Sequence, residues 1–334
     1  MEPLLATCTA GYSAEVTEVA VPPLTKTGNG TGWGSDFAVR PAPVQLFWTR
    51  VYGLSPVPWS RYDVESGELL TIKGRAGVHG DLRDSVIDAD ARHGWFLLTG
   101  GFAHVDLENV RILRVLRTGF PTYLSRLFVL RDGLFAATGW TGGTVTIVDG
   151  HEMRVVKTVR MPSPDAVIRD DGTASVEMLS FNGMIARRFD LESLTLGRRR
   201  PLPFGAWPCV SGDRAWIVEG PRVVTPEAPT IRHIDGQNVA EVDIENGRVL
   251  RKSGRLADLS RVVGVDADGN VVVQQGQGMT VLDSVTLAPV VEVANSWGQF
   301  GAVAMLPDLR SAAVKPNWLD PERLAIVRWS KAAR

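Results

Sequence analysis

The chain has 334 residues, 44% of them hydrophobic and 22% charged, which is enough apolar material for a large buried core and too much for a disordered or fibrous protein. Its 36 basic and 37 acidic residues leave a formal charge of −1, so no basic excess exists to neutralise a phosphate backbone or an anionic lipid surface, and neither nucleic acid nor membrane is expected as a partner. No apolar run reaches the roughly 18 residues that a spanning helix needs.

The stretch from Met1 to Tyr12 has no basic residue and no long apolar core. It is a poor secretory signal, and a cytoplasmic location is expected. Leu5-Ala6-Thr7-Cys8 resembles a lipobox faintly, without the charged and apolar regions that precede one. Cys8 and Cys209 are the two cysteines; alone they cannot form a four-ligand zinc site, and they are expected as reduced thiols. Ala14 to Val21 alternates like a strand. The glycine-rich run Gly28 to Gly34 precedes a strand rather than a helix, so it reads as a loop and not as a phosphate cradle.

From there an internal repeat governs the chain. An apolar strand ending in aspartate, a short turn and a second apolar strand recur at Asp63, Asp106, Asp149, Asp190, Asp243 and Asp283, with spacings of 43, 43, 41, 53 and 40. Strand-rich periods of this length are the mark of propeller blades. Each period divides into four β-rich runs, a to d from the axis outward. In the second unit they are Ser85 to Asp88, Trp95 to Thr99, Ala103 to Leu107 and Arg111 to Leu116.

The a–b connections carry Arg131-Asp132-Gly133, Asp170-Asp171-Gly172 and Asp266-Ala267-Asp268-Gly269-Asn270, the residues that tight hairpins require. The last of these looks like a fragment of a calcium loop, but no later glutamate completes one. Seven units follow, at about 35–73, 82–118, 124–160, 165–200, 207–254, 260–294 and 299–330. The final unit lacks its fourth strand, and the strand at 14–21 is expected to supply it and close the ring. The expectation is an all-β chain: one seven-bladed β-propeller domain of four-stranded antiparallel blades spanning residues 1–334.

These Asp-led hairpins resemble the YVTN and quinoprotein-like superfamily of seven-bladed propellers, which includes lactone hydrolases, streptogramin lyase-like enzymes and amine dehydrogenase large subunits. The resemblance covers nearly the whole chain. Its motif is structural, the signature tetrapeptide is absent, and so is the Trp-Asp dipeptide of WD40 blades. It therefore implies a fold and transfers no catalytic residue.

In such a ring the b–c and d–a loops gather around an axial funnel, and the a–b and c–d turns emerge at the other end. This places His93 and His151 away from the funnel and puts His79, His104 and His233 beside it. Rings crowd the funnel loops at Trp33, Tyr52, Trp59, Phe120, Tyr123, Trp140, Phe204, Trp207, Trp297, Phe300 and Trp318. A pocket walled by rings suits a small, partly apolar ligand. Trp48, Trp95, Trp216 and Trp329 fall within strands and read as core. Asn182, Gln275 and Lys315 add polar groups, and blade five carries one long insertion, Glu219 to Gln237, as a candidate lid.

The sequence thus supports a small-molecule enzyme, performing lactone hydrolysis, elimination or cyclisation in bacterial specialised metabolism. His79, Asp81 and His233 are its candidate acid/base groups. The ligand-binding set is Trp33, Tyr52, His104, Phe120, Tyr123, Trp140, Asn182, Trp207, Gln275, Trp297, Phe300, Lys315 and Trp318. The alternative is a non-catalytic propeller that presents a surface to a protein partner or senses a ligand. No cofactor is expected; an axial calcium would require Asp81, Asp165 and Asn182 to converge. The strong bias to arginine, 30 residues against six lysines, reads as the codon usage of a GC-rich bacterial genome.

Overall fold

A computed structural model describes residues 4–21, 37–49, 59–72, 82–98, 101–117, 124–139, 143–162, 164–169, 174–220, 222–224, 232–234, 238–257, 259–276, 278–294, 300–316 and 323–332. Among these every regular element is a strand. Two open the chain, β1 (Leu5–Cys8) and β2 (Tyr12–Ala20). The first sheet is β3 (Ala38–Pro41), β4 (Val44–Thr49), β5 (Trp59–Asp63) and β6 (Leu69–Ile72). The second is β7 (Leu82–Ile87), β8 (His93–Leu98), β9 (Gly101–Asp106) and β10 (Arg111–Leu116), and the third β11 (Leu124–Arg131), β12 (Leu134–Gly139), β13 (Thr144–Asp149) and β14 (Arg154–Arg160).

The fourth sheet comprises β15 (Ala166–Arg169), β16 (Ser175–Ser180), β17 (Ile185–Asp190) and β18 (Thr195–Pro201). In the fifth, β19 (Ala206–Ser211) and β20 (Arg214–Glu219) are separated from β23 (Asn238–Asp243) and β24 (Arg248–Lys252) by a small hairpin, β21 (Arg222–Val224) and β22 (Arg232–Ile234). The sixth is β25 (Leu259–Val265), β26 (Val271–Gln275), β27 (Gly278–Leu282) and β28 (Pro289–Ala294). The seventh has only β29 (Phe300–Met305), β30 (Ser311–Pro316) and β31 (Arg323–Lys331) from its own stretch of chain, and β2 completes it beside β31. The seven four-stranded antiparallel meanders are the blades of a seven-bladed β-propeller, as the repeat predicts. β1 was not foreseen. It adds a fifth strand to the sixth sheet, pairing Leu5 with Ala294 and Cys8 with Val291.

The strands fall into two compact units. Residues 20–163 and 317–322 hold the first three sheets, and residues 1–19, 164–316 and 323–334 hold the other four. Within each unit successive sheets bury their faces on one another. Second and third strands such as β8 and β27 are covered on both sides and are almost wholly apolar, whereas fourth strands such as β24 alternate half-buried and exposed positions, the pattern of a one-sided edge. Phe47 and Trp59 of the first sheet meet Leu82, Phe96 and Leu98 of the second, with Trp59 stacked on Phe96 at 5.2 Å. Trp48, Trp95, Trp216 and Trp329 are all buried, as their strand positions predict. Trp59, placed by sequence in a funnel loop, is instead the first residue of β5 and belongs to this core.

The repeating aspartate has a specific task. At each c–d turn its carboxylate accepts the N–H of the residue two or three positions later: Glu65 and Ser66 at Asp63, Glu108 and Asn109 at Asp106, Glu152 at Asp149, Glu192 and Ser193 at Asp190, Glu245 and Asn246 at Asp243, and Val285 and Thr286 at Asp283. The residue four positions on adopts a left-handed conformation in every copy, as glycine at 67 and 247 and as Val110, Met153, Leu194 and Leu287 elsewhere. That is the geometry of a short hairpin loop closed by a bulge.

Candidate functional site

A gathering of titratable side chains lies at the turn end of the second and third blades. The alternation of β8 and β9 sets it up: Trp95 and Leu97 on one strand, and Phe102 and His104 on the other, share the face turned to the third blade, where they meet Leu127, Phe135, Ala137, Val148 and Met153. Trp95 and His104 are directly paired in register, and their rings stack in parallel at 5.1 Å. The His93 ring lies 5.3 Å from His104, and His151, from the c–d turn of the third blade, meets Trp95 edge-on at 6.4 Å. Two of the five histidines, His104 and His151, therefore flank one tryptophan, and His93 joins them through His104.

Two glycines make the close approach possible. A Cβ on Gly133, whose φ is +65°, would fall 2.2 Å from His151 Nε2, and one on Gly150 would fall 2.6 Å from Trp95 Nε1. Arg114 donates to the carbonyls of His151 (2.6 Å) and Glu152 (3.0 Å) and fixes this turn from the neighbouring blade.

Carboxylates line the same end. The a–b turn of the second blade runs Asp88-Ala89-Asp90-Ala91-Arg92-His93, with Asp90 Oδ1 accepting the Arg92 N–H at 2.8 Å and Asp90 Oδ2 3.8 Å from His93 Nδ1. Asp88, Asp90 and His93 hold their ligand atoms within 4.8 Å of one another. His151 Nε2 stands 3.9 Å from Asp132. Burial, then the negative charges of Asp90 and Asp132, push the Asp88 carboxyl above the usual range. Burial, then the positive potentials of His93, Arg114 and His151, hold His104 below the ordinary histidine value. His104 Nε2 and Trp95 Nε1 are buried without a hydrogen-bond partner.

This corrects the placement of His104. The sequence puts it beside the funnel, apart from His93 and His151, whereas it meets His93 directly and His151 through Trp95. The sequence reading began strand c at Ala103, whereas β9 begins at Gly101; His104 is thus the fourth residue of its strand and sits nearer the c–d turn. The spacing Asp88-x-Asp90-x-x-His93 within one turn was the signal that could have drawn attention to this end.

The remaining expected site residues are scattered. His79, Asp81, Trp33, Tyr52, Phe120, Tyr123, Trp140, Trp297 and Trp318 lie outside the described residues. His233 is the middle residue of β22, in register with Val223, within the insertion that leaves β20 and returns at β23. Asn182 lies in the b–c turn of the fourth blade, where Asp165 Oδ2 accepts the N–H of Phe181 at 2.8 Å and of Asn182 at 3.3 Å. That carboxylate organises a turn, and the Asn182 Oδ1 is buried without a donor. Gln275, ending β26, donates to the Ala257 carbonyl at 3.0 Å and accepts from Thr280. Trp207, in β19, is half-buried and packs with Phe204 against the core between the fifth and sixth blades. Phe300 opens β29 and Lys315 lies near the end of β30, opposite Ala302. These positions are at the b–c or d–a ends of their blades.

The turn Asp266 to Asn270 is accounted for by folding alone. Buried Asp266 accepts the N–H groups of Asp268 and Asn270, the Asn270 side-chain amide at 3.0 Å and Trp329 Nε1 at 2.9 Å, which saturates the carboxylate.

No known protein family matches the chain, and no curated protein does. Solved structures do. A chain of the mitotic checkpoint complex superposes over 98% of this chain and 94% of its own, with a TM-score of 0.66 and 11% identity. The Pan2 WD40 domain of Neurospora crassa covers 91% of this chain and 90% of its own, at 0.65 and 12%. With 1509 solved chains resembling it, the fold is widely shared, and the likeness identifies architecture rather than activity.

Proposed function

We propose that the chain is a non-catalytic propeller that binds a protein partner. The observation that carries this reading is the likeness along nearly the full length to a chain in the mitotic checkpoint complex, an assembly, and to a WD40 domain. A rigid stack of sheets offers turns and loops as a broad contact surface, and binding there demands no reacting group. The Asp-led c–d turns fit the narrower grouping with YVTN and quinoprotein-like propellers, which the sequence resembles.

The turn end of the sixth and seventh blades is the surface we favour. Val285, in the c–d turn of the sixth blade, is 75% exposed, and Leu309, in the a–b turn of the seventh, is 44% exposed. Their turns are held firmly. Arg251 grips the carbonyls of Ser284 and Val285, Ala267 N–H donates to the Leu309 carbonyl at 3.0 Å, and Arg310 pairs with Asp268 at 3.0 Å. Apolar side chains presented on a fixed backbone lose little entropy when a partner covers them.

The test is quantitative affinity capture with the wild-type chain and the double variant Val285→Glu, Leu309→Glu. A defined protein retained by the wild type and depleted about tenfold or more from an equally stable variant is the expected result. Equal retention by both removes this surface. Loss of turnover on alanine substitution of His79, Asp81 and His233, found in a hydrolase and lyase substrate screen, would replace the binding reading with the enzymatic one.

A further inference from the structure

We propose that Asp88, Asp90 and His93, in the a–b turn of the second blade, form a binding site for a divalent transition-metal ion of the zinc class. The strongest argument is a comparison the molecule makes with itself. The a–b turn of the seventh blade has the same backbone: Leu309 is left-handed at φ 51° as Ala91 is at 54°, Arg310 N–H donates to Asp308 Oδ1 at 3.1 Å as Arg92 donates to Asp90 at 2.8 Å, and Leu306 N–H meets the Ser311 carbonyl as Asp88 meets that of His93, both at 2.9 Å. In the seventh blade the side chains complete a purely structural turn. Leu306 is buried, and the Ser311 hydroxyl donates to the Asp308 carboxylate, 2.8 Å from either oxygen.

The second blade places aspartate where that turn has its buried leucine, and histidine where it has the serine donor. Folding of this backbone requires neither change, and together they concentrate two carboxylates and an imidazole. Asp88 confirms the surplus. At the same position in the sixth blade Asp266 accepts four hydrogen bonds, whereas among the described residues no donor reaches the Asp88 carboxylate. A further imidazole, that of His104, lies with its ring 5.3 Å from that of His93 and its Nε2 buried without a partner.

The donor set selects the ion. Calcium and magnesium prefer six or more oxygens, and copper(I) prefers sulfur, while one imidazole and two carboxylates suit zinc and its neighbours, with a coordination position left for water or a fourth side chain. Ligand atoms within 4.8 Å of one another must close to about 3.4 Å to share a tetrahedral ion with bonds of about 2.1 Å, a movement of under about 1 Å for each side chain. Half-buried Asp88 and His93 and exposed Asp90 leave the ion a path from solvent.

The experiment is calorimetric titration of zinc into the full chain, backed by competition with a chromogenic chelator. The decisive variant carries Asp88→Leu with His93→Ser, which installs the seventh-blade residues in the second-blade turn and so preserves its folding. The wild type should bind one ion, with an affinity at least about tenfold above that of the double variant, at matched thermal stability. Asp88→Asn alone, which keeps the side-chain shape, should also weaken binding. Absence of zinc binding by the wild type, or one-site binding of wild-type strength by the double variant, would overturn the assignment.

Discussion

Single carboxylates at the c–d turns tie the stability of the protein to pH. Asp63 and Asp283 are held below their ordinary value of 3.8, first by the N–H groups of Ser66 and Thr286 and further by neighbouring hydroxyls. A group whose value is lower in the folded than in the unfolded state stabilises the fold fully above the unfolded value and ceases to do so as pH falls through the folded one. Each therefore contributes at neutral pH and loses its contribution progressively below 3.8. In urea unfolding followed from neutral pH down to the acid range, Asp63→Asn and Asp283→Asn should flatten the acid-side decline of the wild type. An unchanged decline would mean that these carboxylates do not act through ionisation. Both side chains are largely solvated, so each contribution is modest.

Among the larger elements, arginine has a structural task. Three fourth strands send a guanidinium to the c–d turn of the following blade: Arg114 of β10 to His151 and Glu152, Arg200 of β18 to Ile244, and Arg251 of β24 to Ser284 and Val285. A planar fork can span two carbonyls at once, which an ammonium cannot. Arg251 also pairs with Glu241, which is buried and has Arg214 as a second neighbour at 3.8 Å. Replacing Arg251 by lysine should cost about 1–3 kcal/mol in equilibrium unfolding, and Arg199→Lys, on the exposed face of β18, should stay within about 0.5 kcal/mol. Equal effects at the two positions would show that the clamp contributes nothing. The clamps were invisible to sequence reading because their partners are backbone carbonyls 33 to 44 residues away, and a carbonyl leaves no mark in a sequence.

At the level of the whole molecule, the repeating aspartates made the blade number readable, because every copy performs the same hydrogen-bonding task and so keeps its place in the period. The completion of the seventh sheet by residues near the N-terminus was legible from a missing strand at one end and an orphan strand at the other. β1 escaped notice because four residues at a solvated edge carry no alternation. The histidine cluster was misread because its members belong to two blades and a two-residue slip in the start of β9 changed the end to which His104 was assigned. Function was the least legible layer, since the same sheets accept many surfaces. The most direct test of the binding account is hydrogen–deuterium exchange on the chain with and without a purified captured partner. Slowed exchange confined to the amides of 283–287 and 306–311 is the expected result; slowed exchange centred instead on 77–81 and 232–235 would contradict the account and return the site to the residues first singled out for chemistry.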